Sequence, residues 1–277
     1  MIPLALFLIA ISVNDWLAGN GPSADGAPRS RTNNTAFSFV FAVVAAWITH
    51  VVHGSWPATL LALSTLFIGN TLWLSFRRDA GENHKGWLAV TALAATLAIG
   101  GFVMPAVAPS VALEASQAYA HLNTYFDSLP WRQLERVNPE LALLLLGTLL
   151  FLGPTANAIV KTVMIQIRSV DYDASEQQLK GGRYIGPLER WLIFGLALAG
   201  QPTAAALVIS AKSIIRFPEL QSKAERSADK GSSTSDGAQP RAQTIDELTE
   251  YFLIGSLLSW LLALVAALPI SAATPIG

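Results

Sequence analysis

The chain has 277 residues, of which 52% are hydrophobic and only 13% are charged, and its mean hydropathy is +0.43. Soluble domains carry about 25% charged residues, so this depletion predicts a protein with several membrane spans. The net charge of -1 argues against a nucleic-acid partner, and the absence of cysteine excludes disulfides, thiolate metal sites and cysteine nucleophiles.

Six apolar stretches are each long enough to cross a bilayer, which takes about 20 residues. In chain order they cover approximately residues 2–18, 36–54, 57–76, 86–108, 140–161 and 249–270. Gly100-Gly101 and Pro105 predict a kink in the fourth stretch. No Lys or Arg precedes the first apolar stretch, so we expect it to be a helix of the mature protein rather than a signal peptide.

A seventh apolar segment, residues 187–216, has charges at both ends and a Gly200-Gln201-Pro202 break halfway along it. Each arm holds about twelve residues, or roughly 18 Å of helix, which is too short for a hydrocarbon core about 30 Å thick. Proline lacks an N–H and glycine accepts turn dihedrals, so the break suits a turn. The segment therefore predicts a re-entrant helical hairpin. One kinked span, which would make seven transmembrane helices, is the alternative.

The distribution of Lys and Arg favours the hairpin, because cytoplasmic loops are enriched in these residues. If 187–216 crossed the membrane, the 18 Lys and Arg residues would divide almost evenly between the two sides. A hairpin instead places nearly all of them on one side. The predicted fold is all-α, a polytopic membrane bundle of about six transmembrane helices plus the hairpin, with both termini extracytoplasmic.

Two modules are predicted. Residues 1–139 form an N-terminal bundle of four helices that ends in an extracytoplasmic connection. Residues 140–277 form a C-terminal module with the hairpin, a loop over 221–243 and the last helix. The loop is rich in Ser, Gly and charge, which predicts disorder. Thr244 followed by Glu247 predicts a capping box at the start of the last helix.

Three motifs in the C-terminal half resemble a known pattern. They are Gly182-Arg183-Tyr184-Ile185-Gly186-x-Leu188-Glu189-Arg190, Ala211-Lys212-Ser213-Ile214-x-Arg216-Phe217 and Glu250-Tyr251-Phe252-Leu253-Ile254-Gly255-x-Leu257-Leu258-Ser259. The pattern is similar to that of a family of bacterial integral-membrane proteins classed as a domain of unknown function, over residues 150–265. The resemblance implies a bacterial inner-membrane protein and implies no activity. The family often has a His and an Asp in its first helix, where this chain has only Asn14-Asp15.

With the hairpin topology, ionisable groups gather at the cytoplasmic leaflet. The predicted anion-binding or ion-pair cluster comprises Arg183, Glu189, Arg190, Lys212, Arg216, Glu219 and Glu250. Ionisable groups near membrane depth usually pair with one another or line a path. Three interpretations stay open: an ion-pair lattice that anchors the hairpin, a site for an anionic lipid phosphate or nucleotide, and a pore or transport site.

Further polar residues lie within the apolar segments. Asn70, Asn157, Lys161 and Gln201 predict a polar path. Gly153, Asn157 and Lys161 share one helix face, for which close packing with a snorkelling lysine is the alternative. His50 and His53 could also share a face, but no acidic residue accompanies them. We therefore predict no metal site and no cofactor.

These patterns predict a transporter- or channel-like conduit, or the membrane component of a larger assembly. The alternative is a membrane enzyme or binder that acts on a lipid phosphate or another anion at the cytoplasmic leaflet. The sequence contains no phosphate-binding loop and no serine-nucleophile elbow, so an enzyme is the less favoured of the two. The expected partners are the lipid bilayer, anionic lipid, and a second copy or another membrane protein.

Overall fold

The computed structural model describes residues 2–20, 31–53, 56–80, 84–104, 139–167, 182–201, 203–211 and 241–273. These residues are helical apart from short turns and contain no strand, which confirms the all-α class. The chain forms two compact units, Met1–Lys180 and Gly181–Gly277, and each is described by itself.

Nine α-helices are described. In the first unit they are α1 (Ile2–Asn20), α2 (Arg31–His53), α3 (Trp56–Arg78), α4 (Lys85–Ala98), α5 (Pro139–Leu150) and α6 (Ala156–Ile167). A π-helical turn, π1 (Ile99–Val103), continues α4, and a second, π2 (Phe151–Thr155), joins α5 to α6. In the second unit they are α7 (Gly182–Leu198), α8 (203–211) and α9 (Arg241–Ala273).

Each of the six predicted apolar stretches overlaps a described helix. Among the described residues, four helical stretches are long and apolar enough to cross a membrane: Trp56–Arg78, Lys85–Val103, Glu140–Ile167 and Leu253–Ser271. Ile2–Leu17 and Ser38–His50 are shorter apolar helices. The structure thus has the helices of a membrane protein, and length and composition support four of the six predicted spans.

Helix α1 lies at the centre of the first unit. It packs against α2, α3, α4, α5 and both π-helical turns. Ala5, Phe7 and Ile11 have no exposed surface. A helix that is apolar on every side belongs in an interior, where each face finds an apolar neighbour. The tight packing of α5 on α1 places residues 139–167 in the first unit, whereas the predicted module boundary lies at 139/140.

Sequential helices of the first unit alternate in direction. At one end of the bundle, the Nδ1 of His50 near the end of α2 lies 3.2 Å from the Thr59 hydroxyl of α3. At the other end, the Gly86 amide of α4 donates to the Gln166 side-chain oxygen of α6 at 2.9 Å. The ends of α1, α3 and α6 therefore lie at one end of the bundle, together with the starts of α2 and α4.

Gly147 lets α5 approach α1 closely. A Cβ atom at this position would lie 2.9 Å from the Ala5 carbonyl oxygen and 3.3 Å from the Leu8 Cβ. The first distance is too short for a real contact with backbone. Small residues allow this kind of approach between membrane helices, where packing rather than hydrophobicity drives association.

Both π-helical turns occur where the sequence weakens the α-helix. π1 contains Gly100-Gly101, two of the residues from which a kink is predicted; Pro105 lies outside the described residues, and the kink stays a prediction. π2 contains Gly153-Pro154. Proline cannot donate a hydrogen bond to the carbonyl four residues earlier, and a wider turn accommodates this loss. Both turns pack against α1, so the two irregular turns of the bundle meet its central helix.

In the second unit, α7 ends at the predicted Gly200-Gln201 break. Gly200 adopts a φ of 68°, in the left-handed region that favours glycine. The Gly200 N–H donates to the Ala197 carbonyl at 3.1 Å, and the Gln201 N–H donates to the Leu196 carbonyl at 2.9 Å. This pair of bonds is a Schellman motif, which terminates an α-helix. The Ala205 N–H then donates to the Gln201 carbonyl at 3.2 Å, so α8 follows at once.

Helix α9 begins at Arg241, earlier than the sequence predicted. Thr244 therefore lies inside the helix and does not cap it, and residues 241–243 of the predicted disordered loop are helical. Arg, Ala and Gln are good helix formers and extend the helix past the predicted cap. The rest of the loop lies outside the described residues, as does the predicted connection after α4.

Replacement of Gly147 by Ala should destabilise the protein, because the new methyl group would push α5 away from the α1 backbone. Overpacking of this kind costs about 1–3 kcal/mol. Gly195→Ala in α7 is the matched control, since a Cβ there meets nothing within 4 Å. The control should leave the thermal unfolding midpoint in detergent unchanged or slightly raised, because Ala favours helix. Equal midpoints for the two variants would contradict the proposed close contact.

Candidate functional site

A polar cluster lies buried at one end of the first unit, among α1, α2, α3 and π2. Its members, which we call the Asp15 cluster, are Ser12, Asn14, Asp15, Ser38, Asn70, Trp73, Arg77 and Thr155. None of them except Arg77 is more than 3% exposed. Burial of this many polar side chains is costly, so their partners decide what the cluster can do.

The Asp15 carboxylate receives two donors from α3. The Trp73 indole Nε1–H donates to Oδ1 at 2.9 Å and lies 3.2 Å from Oδ2. The Arg77 guanidinium donates to Oδ1 at 2.8 Å and forms a salt bridge. The guanidinium also lies 5.2 Å from the centre of the Trp73 ring, within cation–π range. Trp73 and Arg77 share a face because they are four residues apart on α3.

Shorter side chains tie the last turns of α1 to the neighbouring helices. The Asn14 amide donates to the Ser38 hydroxyl of α2 at 2.9 Å. The Ser12 hydroxyl donates to the Leu8 carbonyl at 2.6 Å. The Thr155 hydroxyl of π2 in turn donates to the Ser12 hydroxyl at 3.5 Å. Together with the bonds of Asp15 to α3, these contacts join the polar end of α1 to three separate elements, α2, α3 and π2.

Asn70 is the member whose acceptor is not satisfied. Its Oδ1 is buried and has no hydrogen-bond partner among the described residues. Asn70 precedes Trp73 by three residues and Arg77 by seven, so all three lie on one face of α3. An unmet buried acceptor costs about 1–3 kcal/mol, so a native structure that keeps one calls for an explanation.

The α3 face of the cluster runs from the surface into the bundle. The Arg77 side chain is 21% exposed, and Asn70 lies deeper by about 10 Å at 1.5 Å per residue. One turn beyond Asn70 lies Leu66, and one turn before Asp15 on α1 lies Ile11, both buried and apolar. The polar stripe thus enters from one end of the bundle and stops at an apolar layer.

In the second unit, Arg190 is 2% exposed and its Nη1 donates to the Ser259 hydroxyl of α9 at 3.1 Å. Ile193 and Phe194 of α7, with Trp260 of α9, are among the buried side chains of this helix pair. Arg190 and Ser259 belong to the first and third of the C-terminal motifs. The bond between them gives these two motif positions a shared structural role.

The predicted anion or ion-pair cluster is described only in part. Glu189 and Arg190 are the members whose side chains the structure describes. Arg183 and Glu250 lie in helices, but their side chains are not described. The other members, Lys212, Arg216 and Glu219, lie outside the described residues. The cluster stays a prediction.

The predicted polar path is divided between the two units. Asn70 is buried in the first unit, and Asn157 and Lys161 are half-buried on α6. Gln201 is exposed at the break between α7 and α8. The path through all four residues stays a prediction. The predicted lack of a metal at His50 is not tested, although His50 contacts Thr59 and stacks on the Trp56 ring at 4.2 Å.

Sequence reasoning noted Asp15 in the first helix but missed its partners. Trp73 and Arg77 carry a weak signal, since an indole donor and a cation four residues apart near the end of an apolar helix suit a buried carboxylate. Comparison with protein-family models, curated proteins and solved structures finds no match. Function is therefore argued from the site, and the family resemblance stays a prediction.

Replacement of Arg77 by Gln should destabilise the protein, because the Asp15 charge would stay buried with Trp73 as its remaining donor. Loss of one partner of a fully buried pair costs about 3–5 kcal/mol, and partial exposure of Arg77 reduces this to roughly 1–3 kcal/mol. Arg78→Gln, at the exposed neighbouring position, should cost below about 0.5 kcal/mol.

Arg77→Gln, Asp15→Asn and the two combined form a double-mutant cycle. The double variant should recover part of the stability lost in Arg77→Gln, because no uncompensated charge remains. The measurement is the unfolding midpoint of the purified protein in detergent. Equal decreases of the unfolding midpoint in Arg77→Gln and Arg78→Gln would show that the ion pair does not contribute to stability.

Proposed function

We propose that this protein is a multi-pass protein of the bacterial inner membrane whose first unit is a conduit for a small ion or polar solute. The observation that carries the proposal is the buried Asp15 cluster, which extends a polar stripe into an apolar bundle. Ionisable groups inside membrane helices are costly, and they commonly mark ion and substrate pathways. π-helical turns are frequent at functional sites, and π2 borders this one.

Exposed tryptophans support a bundle that spans the membrane. Trp16 and Trp87 are exposed near the Asp15 end, and Trp47 and Trp56 are exposed near the other end. Tryptophan is enriched at both membrane–water interfaces. Along α3, Trp56 and Arg77 are separated by roughly 32 Å at 1.5 Å per residue, close to the hydrocarbon thickness of about 30 Å.

The outer surface of the bundle suits lipid. On α2, Phe39, Val40, Val43 and Val44 are 40–54% exposed. On π1, Phe102 is 83% exposed. Soluble proteins rarely expose contiguous apolar patches of this kind, so an apolar solvent is the environment that stabilises this surface.

The described cations support the orientation predicted from the sequence. Arg77, Arg78 and Lys85 lie at the Asp15 end, and Lys161 lies in α6, which ends there. The positive-inside rule places this end in the cytoplasm and the start of α1 outside. The break at Gly200 is compatible with a re-entrant hairpin, which the distribution of Lys and Arg along the chain favours.

The alternative of a lipid-phosphate enzyme or binder depends on residues that lie mostly outside the described part of the chain. Arg190 is the basic member of the predicted anion cluster whose side chain is described, and it donates to Ser259 within its own helix pair. The polar interior of the first unit therefore favours the conduit as the first function to test.

Proteoliposomes provide that test. Vesicles with the purified protein should pass protons, read by entrapped pyranine, or radiolabelled sodium faster than protein-free vesicles. Asp15→Asn should lower this flux at least about tenfold, because the charge that the path offers is lost, whereas Arg78→Gln should leave it unchanged. A protein that moves neither probe above the protein-free level would contradict an ion conduit.

Topology can be tested cleanly because the chain contains no cysteine. Ser55→Cys, between α2 and α3, should react with a membrane-impermeant maleimide in intact cells. Asp79→Cys, just after α3, should react only in inverted vesicles. Ser175→Cys and Ser235→Cys flank the hairpin segment and should both behave like Asp79→Cys. Labelling of Ser175→Cys and Ser235→Cys from opposite sides would exclude the re-entrant hairpin.

A further inference from the structure

We propose that the Asp15 cluster binds a monovalent alkali cation, which replaces the Arg77 guanidinium at the Asp15 carboxylate. The inference rests on the proposed function in that it names the ion the conduit recognises. Three observations carry it: a buried oxygen acceptor without a partner among the described residues, an ion pair whose arginine lies on the same face of α3, and the partial exposure of that arginine.

The ligand chemistry is that of a hard cation. The buried Asn70 Oδ1 has no partner in the part of the chain that the structure describes, and it accepts hydrogen bonds or coordinates a cation but cannot donate. A carboxylate has about four lone-pair sites, and the contacts to Asp15 leave capacity on Oδ2, whose neighbour Trp73 Nε1 is 3.2 Å away. Neutral and charged oxygens together suit alkali and alkaline-earth ions rather than soft metals.

Helix geometry relates both oxygens to one side chain, the Trp73 indole. On a helix, side chains lean towards the N-terminus, so the Trp73 indole covers the turn that contains Asn70. The same indole contacts the Asp15 carboxylate. A cation bound between Asp15 and Asn70 would therefore sit next to this ring and inward of the present position of the Arg77 guanidinium.

Charge decides between a monovalent and a divalent ion. Asp15 and Arg77 together are neutral, so a further cation beside both would leave a net charge in a medium of low dielectric constant. If Arg77 moves away, a monovalent ion restores neutrality at Asp15. A divalent ion would leave one unbalanced positive charge.

Arg77 is placed to leave. It is the second-last residue of α3, and its side chain is 21% exposed whereas the Asp15 side chain is 1% exposed. Long basic side chains near the ends of membrane helices extend to the headgroup region. Trp73 is fully buried and stays as the fixed donor. Arg77 thus acts as a tethered cation that competes with the free ion.

The test is thermal unfolding of the full-length protein in detergent at constant ionic strength, in NaCl, KCl, MgCl₂ or choline chloride. Na⁺ or K⁺ should raise the unfolding midpoint above that in choline, with saturation as the ion concentration increases. Asn70→Leu should abolish this increase. Thr71→Val is the matched control, because it removes the hydroxyl of α3 whose oxygen is likewise buried without a partner among the described residues, and it should retain the increase.

Arg77→Gln separates this proposal from a merely structural role for the cluster. Removal of the tethered competitor should tighten the apparent Kd for the alkali ion at least about tenfold, although the variant is less stable. Radiolabelled sodium binding to the unmodified protein, competed by unlabelled Na⁺ or K⁺, supplies the measurement if Arg77→Gln does not fold.

The outcomes are distinct from those of the flux assay. Equal midpoints in Na⁺, K⁺ and choline, with no saturable sodium binding, would overturn the cation site even if Asp15-dependent proton flux is found. Stabilisation by Mg²⁺ alone would also overturn it. Cation-dependent stabilisation that Asn70→Leu abolishes would support the site even if no flux is found, and the conduit alone would then fail.

Discussion

A buried carboxylate in an apolar bundle must find donors, and this constraint organises the first unit. Asp15 lies on the central helix, and its side chain is only 1% exposed, so bulk solvent does not reach its charge. Trp73 and Arg77 supply the donors from α3, and their four-residue spacing delivers both to one point. This requirement fixes α1 and α3 parallel, with their polar ends together. The lateral bonds of Asn14 and Ser12 then connect the same end of α1 to α2 and π2.

Helix α1 is contacted by close helix packing at its apolar start and by a π-helical turn at its polar end. Gly147 brings α5 against the apolar start of α1, and π2 brings Thr155 to its polar end. The extra residue in a π-helical turn rotates the helix face that follows it. The continuous helix formed by α5, π2 and α6 therefore contacts α1 first through Gly147 and then through the Thr155 hydroxyl. Dense packing holds the helices together, and the polar groups among them are where we propose that an ion binds.

The second unit satisfies the same constraint with another pair. Arg190 is buried against Ser259, which joins two of the three motifs on which the family resemblance depends. The Schellman motif at Gly200 ends α7 without leaving its last carbonyls unsatisfied, which matters where water is scarce. Both features satisfy polar groups of the second unit from within that unit.

The sequence by itself determined where the helices lie. Apolar length set the six stretches, and Gly200-Gln201 set a helix end, because each of these depends on residues close together in the chain. The start of α9 was misplaced, since a local capping pattern at Thr244 was outweighed by helix formers before it. Only the tertiary structure decided that Asp15 meets Arg77, 62 residues away, and that the Asn70 oxygen has no partner among the described residues. Such contacts depend on which faces of separate helices pack together, and a periodic apolar pattern leaves that choice open.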